Sequence, residues 1–229
     1  MSLDDVRRDV RNAGIAGVGL DIAYRALNKV TRFMALTMLS VTPETVDTGF
    51  LSGDAEHVHR FLSPPQLEAL SGDPVYQMPP DFLSQAIAKG DRCYAILHDA
   101  VLASYGWYSR QETPVTEELT LRFSPEWVYM YKGFTRPEYR GQRLHAIGMA
   151  RAMMEYAKEG RRGIVSFVEA NNFSSLKSCY RMGYAKAGTI LALKVGRRYL
   201  IHVGRGCEPF GFDLRPVAPA RPRTKPPPG

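Results

Sequence analysis

Across residues 4–32, Ile15, Val18, Ile22, Ala26 and Val30 recur at helical spacing on one stripe. Arg7, Arg8, Arg11, Arg25, Lys29 and Arg32 make the predicted helix basic and amphipathic. That pattern suits a membrane surface or a docked position on a core. Gly14, Gly17 and Gly19 favour docking, because each weakens an isolated helix by about 1 kcal/mol relative to alanine. They do not make a dinucleotide site, since no strand precedes them.

Phe33–Val41 is an apolar run of strand type. Two short helices are predicted next, Pro65–Ser71 and Pro80–Lys89, each introduced by turn residues. Arg92–Leu97 and Val101–Tyr108 read as a hairpin about His98-Asp99. Glu118–Phe123 is a further strand candidate, and Trp127–Phe134 a richer one in aromatic and β-branched residues. The chain then meets Pro137, and Arg140-Gly141 opens a long helix to about Glu159, whose Leu144, Ile147, Ala150, Met154 and Ala157 predict a broadly buried face. Ile164–Val168 follows as a short strand. Asn171-Asn172 caps a helix over Ser174–Met182, and Gly183 ends it. Ala187–Val195 and Arg198–Val203 pair about Gly196-Arg197. The alternation predicts an α/β fold with parallel neighbours at the centre of its sheet.

Composition narrows the function classes. The 229 residues suffice for one core, and 45% hydrophobic with 23% charged residues is ordinary for a globular chain. Cys93, Cys179 and Cys207 are odd in number and far apart, so neither a disulfide framework nor a metal site is indicated. A reducing, cytoplasmic setting is expected. Asp21, Arg25 and Lys29 interrupt the N-terminal apolar stretch, so no membrane span is expected, and the first residues lack signal-peptide order. The net charge of +7 raises nucleic acid as a partner. Much of that excess, however, falls in the Pro-rich stretch after Arg205, and a basic enzyme receiving an anionic ligand explains the rest.

Two segments carry candidate chemistry. In Thr135-Arg136-Pro137-Glu138-Tyr139-Arg140-Gly141-Gln142-Arg143-Leu144-His145 a strand delivers the chain to a turn that exposes helix N-terminal amides. Amides and dipole together form a site for phosphate or pyrophosphate, and Arg140 and Arg143 add charge. The plain alternative is a strand-to-helix corner with solvated arginines. One helix and one strand later, Val168-Glu169-Ala170-Asn171-Asn172 ends a strand and a capped helix begins. Should the two strands lie side by side and splay, their carboxyl ends open a slot for an extended ligand arm.

Together the segments resemble the Gcn5-related N-acetyltransferase superfamily. Thr135-x-Pro137-x-x-Arg140-Gly141 matches the first half of its cofactor motif V-x-P-x-x-R-G-x-G-x-G/A, with threonine in the valine place. Asn172-x-x-Ser175 and Gly183-Tyr184 match its later motif. The resemblance implies a mixed central sheet flanked by helices over residues 33–215; periodicity adds an N-terminal helix over 1–32, and the Pro-rich composition of 216–229 predicts a disordered tail. The resemblance also implies acetyl-CoA or another acyl-CoA as donor and a small-molecule or peptide amine as acceptor, and it leaves the oligomeric state open. Phe134, Thr135 and Arg136 would hold the pantetheine arm. Amides of Arg140, Gly141, Gln142, Arg143, Leu144 and His145 would hold the pyrophosphate, and Asn172 and Ser175 would contact the arm.

Three departures stand out. Arg143 and His145 replace the motif's later glycines, and Cys179 stands where a tyrosine commonly protonates the departing thiolate. Tyr180, about 100° around the helix, is the candidate acid in its place. Tyr129 and Glu126 are the candidate bases, with Tyr129 and Tyr131 on one strand face. Rival readings are transfer of a longer acyl chain, from CoA or a carrier protein; a CoA-binding module without turnover; and a nucleic-acid-binding protein.

Overall fold

The computed structural model describes residue 19 and residues 21–52 and 56–217. Local chemistry sets the first elements. Pro80 opens helix α3 (Pro80–Lys89), and Gly90, at φ 79°, lets the chain leave it in a left-handed turn. Strands β3 (Arg92–His98) and β4 (Val101–Ser109) are joined by Asp99 and Ala100, both at positive φ, the two-residue turn that matches strand twist. Ahead of them lie α1 (residues 21–30), β1 (Phe33–Val41), β2 (Val58–Phe61) and α2 (Pro64–Leu70).

After the hairpin come β5 (Thr113–Pro114), β6 (Leu119–Arg122), β7 (Trp127–Thr135), α4 (Leu144–Lys158), β8 (Gly163–Glu169) and α5 (Phe173–Arg181). The chain ends with β9 (Ala185–Val195), β10 (Arg198–Val203) and β11 (Asp213–Pro216). Eight strands form one sheet in the order β10-β9-β1-β8-β7-β4-β3-β2, and β11-β6-β5 form a second, small one. β7 and β8 run parallel, and the other neighbours in the large sheet are antiparallel. The expected mixed central sheet flanked by helices is therefore present, with its parallel pair at the centre.

Both faces of that sheet are covered. Val128 and Met130 of β7 alternate onto the face where α4 buries Ala146, Met149, Ala150 and Met153. Trp127 and Tyr129 turn to the other face, under Leu119 and Leu121 of the small sheet. Further along that face, Tyr105, Trp107 and Phe134 pack against Leu83 of α3.

Two boundaries differ from the sequence expectation. Only part of the predicted N-terminal helix falls in the described residues, and there its apolar stripe is not buried. Ile22 is 52% and Val30 86% exposed. The helix is tied down by polar contacts instead: buried Asp21 accepts from Arg25 Nε at 2.6 Å and from Asn171 Nδ2 at 2.9 Å. At the other end, Pro216 pairs with Leu119 in the small sheet and Val217 N donates to Glu118 O at 2.8 Å. The chain thus stays in register two residues past Arg215, where the expected tail begins; residues 218–229 lie outside the described set. Among the described residues no helix is long and apolar enough to cross a membrane.

Candidate functional site

The centre of the sheet is where it opens. β7 and β8 pair only through Trp127–Gly163, Val128–Ile164 and Tyr129–Val165. Beyond that point each follows its outer neighbour: β7 stays on β4 as far as Thr135, and β8 stays on β1 as far as Glu169. A bulge sharpens the parting. Lys132 faces Trp107 and Met130 faces Tyr108, leaving Tyr131 as the extra residue that bends β7.

The resulting gap is a cavity of about 290 Å³ between Tyr129–Gly133 on one side and Ser166, Phe167 and Val168 on the other. Ser175 and Cys179 of α5 line its flank. Ser166 Oγ donates to Met130 O at 3.0 Å across the gap, standing in for a strand bond. The other edge groups of β7 past Tyr129 have no neighbouring strand on that side, so an extended ligand can use them.

At the gap's open end lies the start of α4. Gly141 takes φ 86° and Arg143 φ 62°, so the loop keeps a left-handed turn at both positions although only one is glycine. Arg143 occupies the N-cap and makes no side-chain capping bond. The first bond of the helix runs from Ile147 N to Arg143 O at 3.1 Å, so the amides of Leu144, His145 and Ala146 have no acceptor within the helix. His145 and Ala146 line a second cavity of about 430 Å³, together with Arg143, Arg181, Ser178, Asp47 and Phe50. Asp47 is already engaged, accepting from Gly49 N at 2.9 Å. Free amides, a helix dipole and two arginines, set against the one Asp47 carboxylate, suit this end of the gap to an anion.

His145 lines both cavities and stands at their junction, beside Gly133. A side chain added to Gly133 would collide with its imidazole, which accounts for a glycine inside a strand. Burial holds the His145 pKa below its usual value of 6.5, so the ring is neutral at neutral pH and adds no charge to the anion site.

The expected site residues are distributed unevenly. Arg140, Gly141, Gln142, Arg143, Leu144 and His145 form the loop and first turn just described, although Leu144 is buried against Ile96 and Ala103. Ser175 lines the gap. Asn172 spends its Oδ1 on capping α5, accepting from Ser175 N and Ser174 Oγ at 3.2 Å each.

Phe134, Thr135 and Arg136 turn away from the gap toward β4 and the helices beyond it. Phe134 stacks on Tyr105, Thr135 Oγ1 meets Ser104 Oγ at 2.9 Å, and Arg136 contacts Glu138 and Tyr76. The stretch of β7 that borders the gap is Met130–Gly133, two to five residues before Thr135. The sequence contains one signal for this, the interior glycine at 133; the bulge itself depends on the register with β4.

Of the proposed catalytic residues, Tyr129 lines the gap, buried between Phe123, Tyr131 and Phe167, and burial pushes its hydroxyl pKa up. Glu126 sits at the closed end of the strand pair, exposed and 3.2 Å from Arg162. The gap begins about 10 Å of strand further on. Tyr180 is 47% exposed on the outer side of α5, with Phe173, Leu176 and Lys177. Its neighbour Cys179 faces the gap, and burial pushes that thiol up to about 11. The 100° step between adjacent helix positions separates the two.

No family model and no curated protein matches the chain. Solved structures similar to it include a GCN5-related N-acetyltransferase-like protein from Streptococcus suis, at 14% identity and a TM-score of 0.48 over 76% of this chain and 66% of that one. A putative GNAT-family acetyltransferase from Novosphingobium aromaticivorans gives 18% identity and a TM-score of 0.46, over 82% of this chain and 66% of its own. The aminoglycoside N-acetyltransferase AAC(6')-Iy, in complex with CoA, gives 16% and 0.45, over 58% of this chain and 91% of its own. The chain thus spans just under two thirds of the first two.

Proposed function

We propose that the protein is an acyl-CoA-dependent N-acyltransferase, with acetyl-CoA as the default donor and an amine as acceptor. One observation carries the reading: the gap between β7 and β8 runs into the anion site at the uncapped start of α4. An elongated ligand with a neutral arm and a diphosphate matches that sequence of surfaces. The Leu144, His145 and Ala146 amides would hold the diphosphate, with Arg143 and Arg181 beside it. Free edge groups of Met130–Gly133 would hold the arm, and an edge amide there would polarise the thioester carbonyl as its oxygen gains charge. His145 must turn, or the arm must pass beside its ring.

The acceptor nitrogen attacks the carbonyl directly, forming the C–N bond as the C–S bond breaks and the thiolate leaves with CoA. Burial pushes the Cys179 thiol up to about 11, which disfavours the thiolate that a covalent route would need and supports direct transfer. Of the two candidate bases, Tyr129 is kept protonated by burial and Glu126 lies outside the gap, so the amine proton passes to water. The three free cysteines suit a reducing, cytoplasmic setting.

A second reading, a CoA-binding module without turnover, is favoured by the gap presenting Cys179 where a phenol acid would stand. Calorimetric titration with CoA and acetyl-CoA, followed by thiol release over an amine panel, separates the two. Binding with turnover supports transfer, binding without turnover supports the module, and no binding removes both. Longer acyl-CoA thioesters and an acylated carrier protein in the same panel fix the donor.

A further inference from the structure

The bulge residue Tyr131 belongs to two cavities. It lines the gap, and it also floors a cleft of about 230 Å³ between α3 and β5 on the face opposite α4. Phe82, Ala86 and Pro114 form apolar walls, Gln85 stands at the rim, and Lys89 and Asp91 complete the lining. The polar groups are tightly organised. Tyr131 Oη donates to Asp91 Oδ2 at 2.8 Å, and Lys89 Nζ reaches the same oxygen at 3.0 Å and Thr113 Oγ1 at 2.9 Å. Asp91 Oδ1 is sealed from solvent with no hydrogen-bond partner among the described residues. The carboxylate is therefore answered only at Oδ2, which commits the Tyr131 proton to it.

That commitment decides what a ligand meets. A hydroxyl whose proton is spent on a buried carboxylate offers only its lone pairs, so it selects a hydrogen-bond donor. The rest of the cleft selects for a small apolar body. Its charges select against a cation: Lys89 lines the wall, Lys132 sits 4.2 Å over the Phe82 ring, and the one lining carboxylate is already paired, so an amine is favoured in its uncharged form and a polyamine is excluded.

We infer that this cleft is the acceptor subsite and that it takes a small primary amine with an apolar body, held in its uncharged form. The assignment rests on the acyl-transfer reading for its role, since Tyr131 would present the amine nitrogen to the neighbouring gap. The cleft's selectivity for such an amine stands on its own lining.

The test titrates 2-phenylethylamine, spermidine and phenylacetate into the full chain, observed by two-dimensional NMR, with CoA titrated separately. Binding of 2-phenylethylamine, with shifts at Phe82, Ala86 and Tyr131, is expected, with spermidine and phenylacetate leaving these signals unmoved. Gln85→Trp, at the exposed rim and outside the core, is expected to weaken that binding by about tenfold while CoA affinity stays within twofold. In turnover with acetyl-CoA it raises the amine KM and leaves the donor KM alone. Asp91→Asn releases the Tyr131 proton and is expected to abolish the preference for the amine over phenylacetate. Shifts elsewhere, equal response to spermidine or phenylacetate, or unchanged affinity in Gln85→Trp would each overturn the assignment. Those results do not depend on CoA. Failure of CoA to bind, with the amine still in the cleft, would instead remove the acyl-transfer reading and leave the amine site standing.

Discussion

The two helices that flank the gap begin in opposite ways. α5 is closed by its own sequence: Asn172 accepts from Ser175 N and Ser174 Oγ, so the helix end is satisfied without help. α4 begins at Arg143, which makes no capping bond and sits in a left-handed conformation that costs a non-glycine residue about 1 kcal/mol or more. A helix start of 15 residues' worth of dipole, left uncapped beside two arginines, is a poor arrangement for stability and a good one for an anion. The contrast separates a helix end that serves the fold from one that serves a ligand, and it can be broken at either end.

The largest effect is expected at Gly141. Its φ of 86° is unreachable for proline, so Gly141→Pro should displace the loop and weaken CoA binding by about 100-fold, measured by calorimetry. Circular dichroism should show the sheet retained. Unchanged CoA affinity would mean that the anion site is elsewhere.

Arg143→Asp reverses the contrast by placing a carboxylate where the diphosphate would sit. Aspartate tolerates the left-handed conformation better than most residues. CoA affinity should fall about tenfold and its salt dependence should weaken, with the melting temperature unchanged or raised. A fall in stability without loss of affinity would contradict the ligand-serving role of this helix end.

Asn172→Ala tests the other end. Removing a side-chain cap costs about 1 kcal/mol, or a fall of about 2–4 °C in Tm for a chain of this size. CoA affinity should change by less than about threefold, because Asn172 spends its carbonyl on the helix. A large affinity loss at constant Tm would return Asn172 to the ligand site.

How much of this was legible depends on the range of the interactions involved. Pro80 with Gly90, Asn172 before Ser175, and the Gly196 turn are local devices, and the elements they bound lie close to expectation. The parting of β7 and β8 followed from two strand ends aimed the same way. The bulge at Tyr131 did not, because it is set by register with β4, more than twenty residues earlier. The small sheet was equally hidden, since Asp213 pairs with Arg122 across some ninety residues. Periodicity misjudged α1, where buried Asp21 carries the contact that Ile22 and Val30 were expected to make.

His145 sharpens the picture at the junction of the two cavities. Burial holds its folded-state pKa below 6.5, whereas in the unfolded chain it titrates near that value. Between the two values the unfolded chain binds the extra proton, so this contribution to stability is complete above about pH 6.5 and is lost as pH falls below it. Thermal melts from pH 7.5 down to 5.5 should therefore show a shallower decline for His145→Gln than for the wild type. Parallel curves would show that the ring is not held neutral by the fold.

The smallest effect is expected on the outer side of α5. Tyr180 is 47% exposed and stands with Phe173, Leu176 and Lys177, while Cys179 turns into the gap. A general acid must come within hydrogen-bond reach of the leaving sulfur, and a helix rotation of about 100° would be needed to bring the phenol there. Tyr180→Phe should accordingly leave kcat within about twofold, against the 10²-fold loss that removal of a working acid produces. Cys179→Ala should also stay active, because burial pushes the thiol up to about 11, leaving it no better an acid than the thiol of CoA that it would serve. If Tyr180→Phe instead lowers kcat 10²-fold with donor affinity intact, α5 must turn when the donor binds. Its capped N-terminus would then be the pivot, rather than the fixed end that Asn172 makes of it here.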